Sequence, residues 1–178
     1  MLPLLLTLLA SPALAEDAPA ALDPAEAEDD GPRWTITVDP LTWAIGYAHV
    51  QVEGRLSPRF SLYAGPHARL FDGVLTDGHE PFLGVGAEVG LRWFPLAKAP
   101  AGPWVMARSV LAGLWTTDGT DQRAVGGYSS VLVGYTGILG DHFVLSGGAG
   151  FNQLYYRVGD YGPQGPFIAL HTNLGVAF

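Results

Sequence analysis

Phe82 to Phe94 read "FLGVGAEVGLRWF". Leu83, Val85, Ala87, Val89, Leu91 and Trp93 alternate strictly with Gly84, Gly86, Glu88, Gly90 and Arg92. A period of two sustained over such a stretch is a β-strand pattern, because successive side chains of a strand point to opposite faces. One face is wholly apolar. The other is small or charged, which is an unusual partner for it, and deciding what each face meets decides the fold.

The same alternation recurs on both sides, with turn residues between segments. Ala48–Leu56 sets Ala48, Val50, Val52 and Leu56 against His49, Gln51, Glu53 and Arg55. Phe60–Leu70 sets Phe60, Leu62, Ala64, Ala68 and Leu70 against Ser61, Tyr63, His67 and Arg69. Trp104–Trp115 places Val105, Ala107, Leu111 and Trp115 opposite Arg108. Val125–Tyr135 places Val131, Val133 and Tyr135 opposite Ser130 and Gly134. Phe143–Tyr156 places Phe143, Leu145, Ala149 and Phe151 opposite Ser146, Gly148, Gly150 and Asn152. The last stretch, up to Phe178, sets Ile168, Leu170, Leu174, Val176 and Phe178 against Ala169, His171, Asn173, Gly175 and Ala177. A first strand is expected over Trp34–Trp43, although Asp39-Pro40 breaks its phase and proline cannot donate to a ladder. The alternative joins it to the second as one bent segment from Trp34 to Leu56. Eight strands are preferred, since an odd number would close the barrel through a parallel pair.

The segments before the strands are of another kind. Leu2 to Leu9 is an apolar run, followed by Ala13-Leu14-Ala15. That is the pattern of a secretory signal peptide over residues 1–15, and the run is about half the roughly 20 residues a membrane-spanning helix needs. Residues 16–32, "EDAPAALDPAEAEDDGP", have no periodicity and little apolar bulk, and read as a disordered acidic linker. They hold seven of the 17 acids and no base, leaving residues 31–178 with 10 acids against 9 bases, a net charge of −1. No basic footprint for nucleic acid remains. The absence of cysteine removes disulfides, thiolate metal sites and a cysteine nucleophile.

Eight antiparallel strands joined in order predict an all-β, up-and-down barrel over residues 33–178. With an apolar lumen it would be a lipocalin-like carrier in water; with an apolar exterior it would be a transmembrane barrel. Three features favour the second. The polar faces carry Gly, Ser, Tyr and Asn with few charges, and the chain has a single lysine, Lys98, whereas a water-facing sheet is rich in Lys and Glu. Aromatic residues gather near strand ends, as in the girdles of membrane barrels: Trp34, Phe60, Trp93, Trp104, Tyr135, Phe143 and Phe178 towards one rim, and Trp43, Phe71, Phe82, Trp115, Tyr128, Tyr155 and Phe167 towards the other. Short turns at 57–59 and 138–142 alternate with longer connections at 71–81, 116–124 and 157–165. The stretch "PLAKAPAGP", 95–103, is long for the short-turn rim.

The chain resembles the small eight-stranded bacterial outer-membrane barrels of the OmpA/OmpX type over residues 33–178. Phe178 at the end, with Val176, Leu174 and Leu170 on its face, looks like the signal that barrel-assembly machinery reads. "VDPLTWAIGYAHVQVEGRLSPRFSLYAG", 38–65, resembles the start of a barrel family of unknown function and brings no activity with it. The resemblance implies a Gram-negative outer-membrane location with both chain ends periplasmic. It further implies lipid and lipopolysaccharide as surroundings, the assembly machinery and periplasmic chaperones as transient partners, and a monomer.

Several constellations bear on function. Glu53, Arg55, Arg69, Glu88, Arg92 and Arg108 all fall on polar faces. Buried charges persist only when paired, so the expectation is a salt-bridged, closed lumen; a proton or ion path is the sharper alternative. His49 and His67 fall opposite each other and fit a metal only if a third ligand joins them. "LHTNLG", 170–175, superficially resembles a lipid A deacylase's His-x-Ser-Asn, but Thr172 stands where serine is required and points away from His171. A conduit or binder for small hydrophobic molecules is suggested by Gly84, Gly86, Gly134, Gly148 and Gly150, unless those glycines accommodate side chains from across the barrel. The expectation is a non-enzymatic barrel without catalytic residues, cofactor or metal.

Overall fold

The computed structural model describes residues 31–75 and 79–178. The expected signal peptide, and the linker up to residue 30, lie outside the described residues. Eight strands form one closed antiparallel barrel in chain order: β1 (Trp34–Val38), β2 (Tyr47–Ser57), β3 (Phe60–Arg69), β4 (Phe82–Trp93), β5 (Gly102–Thr116), β6 (Arg123–Leu139), β7 (Phe143–Tyr155) and β8 (Gln164–Ala177). Closure runs through β1 and β8, from Thr35↔Ala177 to Val38↔Leu174. Phe178 completes it: its carbonyl accepts from the amides of Arg33 (3.0 Å) and Trp34 (2.9 Å).

The alternation decides the wall. Val85, Val89, Leu91, Trp93, Val131, Val133, Leu145 and Phe151 point outward and are exposed, whereas Glu53, Glu88, Arg92, Arg108, His49, His67 and His171 point inward and are buried. The barrel is thus inverted relative to a water-soluble one: its charges are inside and its aliphatic side chains outside.

Two apolar layers close the lumen at its ends. At the rim where the chain terminates, Phe94, Ala99, Trp104, Met106, Tyr63 and Leu132 pack together. At the opposite rim Phe82, Val110, Leu114, Tyr128, Tyr156 and Val158 do so. Trp104 and Tyr128, counted with the rim aromatics on position alone, therefore point inward (2% and 7% exposed). The first layer explains the long connection between β4 and β5. It folds across the rim, with the Phe94 amide donating to the Arg59 carbonyl (2.8 Å) and the Ala99 amide to the Pro58 carbonyl (2.9 Å). Arg55 holds the Ala99 carbonyl (3.2 Å), and Arg59 reaches those of Phe94 and Pro95.

The first strand differs from expectation. It ends at Val38, and Pro40–Ala44 form a single-turn helix, α1. Asp39 caps it, accepting from the amides of Leu41 (3.1 Å) and Thr42 (3.2 Å), and Pro40 occupies the first helical position, where a missing N–H costs nothing. The dipeptide that broke the strand phase is a helix start. β8 therefore has a neighbouring strand on its β1 side only from Leu174 onward.

Candidate functional site: the polar lumen

The registers bring the polar faces together much as the alternation implies. His49 lies opposite His67, and Gly90 opposite Arg108. Glu53 on β2 meets Arg92 on β4 at 2.5 Å, and the Ser61 hydroxyl donates to its other oxygen. Arg92 also contacts His171 Nε2 (2.8 Å), and its guanidinium lies over Trp104 (5.0 Å) and Tyr63 (5.2 Å). Glu88 is held by His49 Nδ1 (3.0 Å) and by the Gln51 amide, whose own carbonyl accepts from Asn173 (2.7 Å). Beyond His49, His67 bonds to the Tyr156 hydroxyl (3.0 Å). Asp39, bonded to the Thr172 hydroxyl (2.8 Å), lies 3.5 Å from His171 Nδ1.

The six charged residues singled out from the sequence thus divide. Glu53, Glu88, Arg92 and Arg108 lie in the buried middle. Arg69 is at the loop rim, paired with Asp72 (2.8 Å) and Glu80 (3.6 Å) and stacked 3.9 Å over Phe82. Arg55 is at the opposite rim, on the folded-over connection. The sequence placed Gln51 and Tyr63 on polar faces, Asp39 at a strand break and Tyr128 among the rim aromatics, but none of them in the charge network. Asp39 carried a readable signal, since Asp-Pro followed by a turn of non-glycine residues is a capping pattern. Phe178, Val176, Leu174 and Leu170 all point outward and are exposed.

Glycines make room for the large interior rings. A Cβ on Gly90 would stand 2.2 Å from the Tyr63 ring, and on Gly134 or Gly148 about 2.3–2.4 Å from Trp104. At those positions the glycines accommodate side chains from neighbouring strands and leave no channel.

Chemically, the lumen is rich in hydrogen bonds between its polar side chains. Thr172 gives its hydroxyl proton to Asp39, and Ser61 gives its own to Glu53. Among the described residues no three His, Asp or Glu side chains converge as metal ligands. Comparison with protein-family models, with curated proteins and with solved structures finds no match.

The longer loops knit the other rim. Tyr161 donates to Asp118 (3.1 Å), and the Thr117 amide to the Pro81 carbonyl (2.7 Å). Hydrogen bonds from Thr120 hold the Asp118 carboxyl below its ordinary range, and the His79 ring does the same for Asp72. The Tyr161 hydroxyl is pushed up by the carboxylate it faces.

Proposed function

We propose that the protein is a bacterial outer-membrane barrel that crosses the bilayer as a monomer and is closed to ions, serving as a structural, non-enzymatic barrel. The observation that carries this reading is the inverted wall: large apolar residues such as Val85, Leu91, Val131 and Phe151 are exposed all round, while Glu53, Glu88, Arg92 and Arg108 are buried. In water an apolar exterior of that extent would drive aggregation. In lipid it is the stable arrangement, because a closed barrel leaves few strand edges without a backbone partner. The same inversion argues against the lipocalin-like alternative, which needs an apolar interior.

The closed lumen rests on the Glu53–Arg92 pair and the hydrogen bonds around it, held between two apolar layers. Ion passage would require dissolving the Glu53–Arg92 pair and displacing Trp104 or Tyr128. Fractionation of expressing cells, with gel mobility of unheated and heated samples, tests the location. Recovery in the outer membrane as a faster-migrating unheated band is expected, and a soluble periplasmic protein would refute it. Planar-bilayer recording tests the closure; steady conductance steps from the folded protein would refute it.

A further inference from the structure

A cavity of about 370 Å³ opens where β1 stops short. Its outer walls are Leu41 of α1, Ile45 just after it, and Ile168 and Leu170 of β8; its floor includes Arg108 and Tyr128. Ile168 and Leu170 lie on the outward face of β8, whereas Arg108 and Tyr128 point into the lumen. The cavity therefore passes round the unpaired edge of β8 and joins the outer surface to the lumen.

That edge is short of partners. The Thr172 amide faces away from β7 and reaches Asp39 (3.4 Å). With a period of two, the amides and carbonyls of Leu170 and Ile168 face the same gap, and among the described residues no strand lies there to meet them. Pro166, next in the series, carries no N–H to satisfy.

The floor is short of an acceptor. Arg108 is 5% exposed, and among the described residues no carboxylate lies within 4 Å of it. Its Nε donates to Ser130 (3.2 Å), its Nη1 lies 3.3 Å from His171 Nδ1, and its guanidinium lies 5.2 Å over the Tyr128 ring, which supplies no acceptor oxygen to the N–H groups. But a neutral imidazole has one acceptor nitrogen. In His171 that nitrogen is Nε2, taken by Arg92 at 2.8 Å, so Nδ1 carries the hydrogen and points it towards Asp39. The terminal nitrogens of Arg108 are left with donors and nothing anionic to receive them. A buried guanidinium in that position is costly until an anion meets it.

We infer that this cavity binds an anionic oxygen headgroup carried on a single acyl chain, which reaches Arg108 sideways through the gap between α1 and β8. The headgroup takes the free guanidinium donors, and the Tyr128 hydroxyl lies within the same floor. The chain leaves past Leu41, Ile45, Ile168 and Leu170. The volume lies near the lower end of the roughly 300–1,000 Å³ usual for small-molecule sites, which suits one chain. The inference rests on the membrane reading only for the route of approach.

Native mass spectrometry of the full folded chain in a non-ionic detergent tests it, with sodium palmitate, a single-chain lysophosphatidate and uncharged hexadecanol as probes. One equivalent of palmitate or lysophosphatidate is expected to bind at least tenfold more tightly than hexadecanol, and the comparison of the two anions separates a fatty acid from a lysolipid as the source. In Arg108→Gln the preference over hexadecanol falls below twofold. In Leu154→Trp, which fills the cavity from β7 without touching a charge, all three probes weaken at least tenfold. Absence of a one-to-one anion adduct on folded wild-type protein overturns the inference, as does a preference that persists in Arg108→Gln. If Arg108→Gln fails to give a heat-modifiable band, undiminished palmitate binding by folded Leu154→Trp overturns it instead. A soluble protein that binds either anion would refute the membrane reading alone, and an outer-membrane protein that binds neither would refute this site alone.

Discussion

Replacing Arg92 with methionine probes the middle of the lumen most directly. Arg92 is 1% exposed and holds Glu53 at 2.5 Å, His171 at 2.8 Å and the rings of Trp104 and Tyr63 at 5.0 and 5.2 Å. Methionine keeps the apolar stem and removes the charge. Glu53 then keeps only Ser61 of the partners described above. Leaving one member of a buried pair alone costs about 3–5 kcal/mol, and each lost ring contact adds about 0.5–1 kcal/mol. A total of about 4–7 kcal/mol is therefore expected, enough to unfold a marginal domain. Glu53→Gln should cost somewhat less, because the amide still accepts from Ser61 while the Arg92 charge keeps His171.

The double variant Glu53→Gln/Arg92→Met separates pairing from bulk. If the pair holds the lumen together, the double variant is less destabilised than the sum of the singles by about 2–4 kcal/mol. Urea unfolding in lipid vesicles, followed by tryptophan fluorescence and by the fraction of the unheated gel band, measures all four corners of the cycle. Additive effects within about 0.5 kcal/mol, or an Arg92→Met loss below about 1 kcal/mol, would refute the reasoning that this charge is retained by its pairing.

Three further outcomes follow from the same contacts. Glu88→Ala takes the carboxylate from His49 Nδ1 and from the Gln51 amide nitrogen and is expected to lower stability by about 1–3 kcal/mol; an unchanged heat-modified shift and melting point would count against a hydrogen-bonded plug. Gly148→Val drives a side chain into Trp104, costing about 1–3 kcal/mol through overpacking, and should blue- or red-shift the tryptophan emission; unchanged emission and stability would mean that the ring does not rest there. Asp72 has a depressed carboxyl, with His79 the leading cause, so its contribution is complete above the ordinary aspartate range near pH 4 and is lost as pH falls through its lower folded value. The stability difference between wild type and Asp72→Asn should accordingly shrink as pH falls below about 4; a difference that persisted undiminished down to about pH 2 would reverse the assignment.

The barrel was legible because alternation is a strong signal wherever both faces are used. β4 reads outward and inward without a break, and its pairing with β5, Gly90↔Arg108 and Trp93↔Val105, keeps the charged face of one strand beside that of the other. Where the signal failed, a local rule competed with it. Asp39-Pro40 was legible as a strand break but also satisfied the helix-start rule, and a five-residue β1 followed by α1 resulted. Residues 95–103 looked too long for a turn because their task is tertiary: Phe94 and Ala99 fill the lumen end, and nothing local marks that. Parity placed Arg55 and Arg69 on the polar face correctly, but depth along the axis separates them from Glu53 and Glu88, and depth depends on register at both rims. The lone Arg108 was beyond sequence reasoning altogether. It results from His171 spending its one acceptor on Arg92, a matter of ring orientation.

The shortness of β1 gives the gap beside β8 a physical consequence. Five residues at roughly 3.3 Å each span about 17 Å, and a tilt near 40° reduces that to about 13 Å along the barrel axis. The apolar band of a membrane barrel is about 25 Å tall. In the proposed bilayer setting β1 therefore covers about half of the band, and the upper half of β8 must be covered by something other than a strand. α1 covers part of it, tied down by the Asp39 carboxylate through Thr172 and the Leu41 and Thr42 amides. Above that tie, the edge at Leu170 and Ile168 would face hydrocarbon with its backbone groups unpaired, which costs several kcal/mol for each group. A strand long enough to close the seam would have removed that cost and also sealed Arg108 from outside. The chain instead interrupts β1 with a capped helix that lines the same cavity as Arg108, a buried guanidinium with no carboxylate within 4 Å among the described residues. An occupant that brings an acceptor to Arg108 and apolar surface to the seam meets both deficits at once.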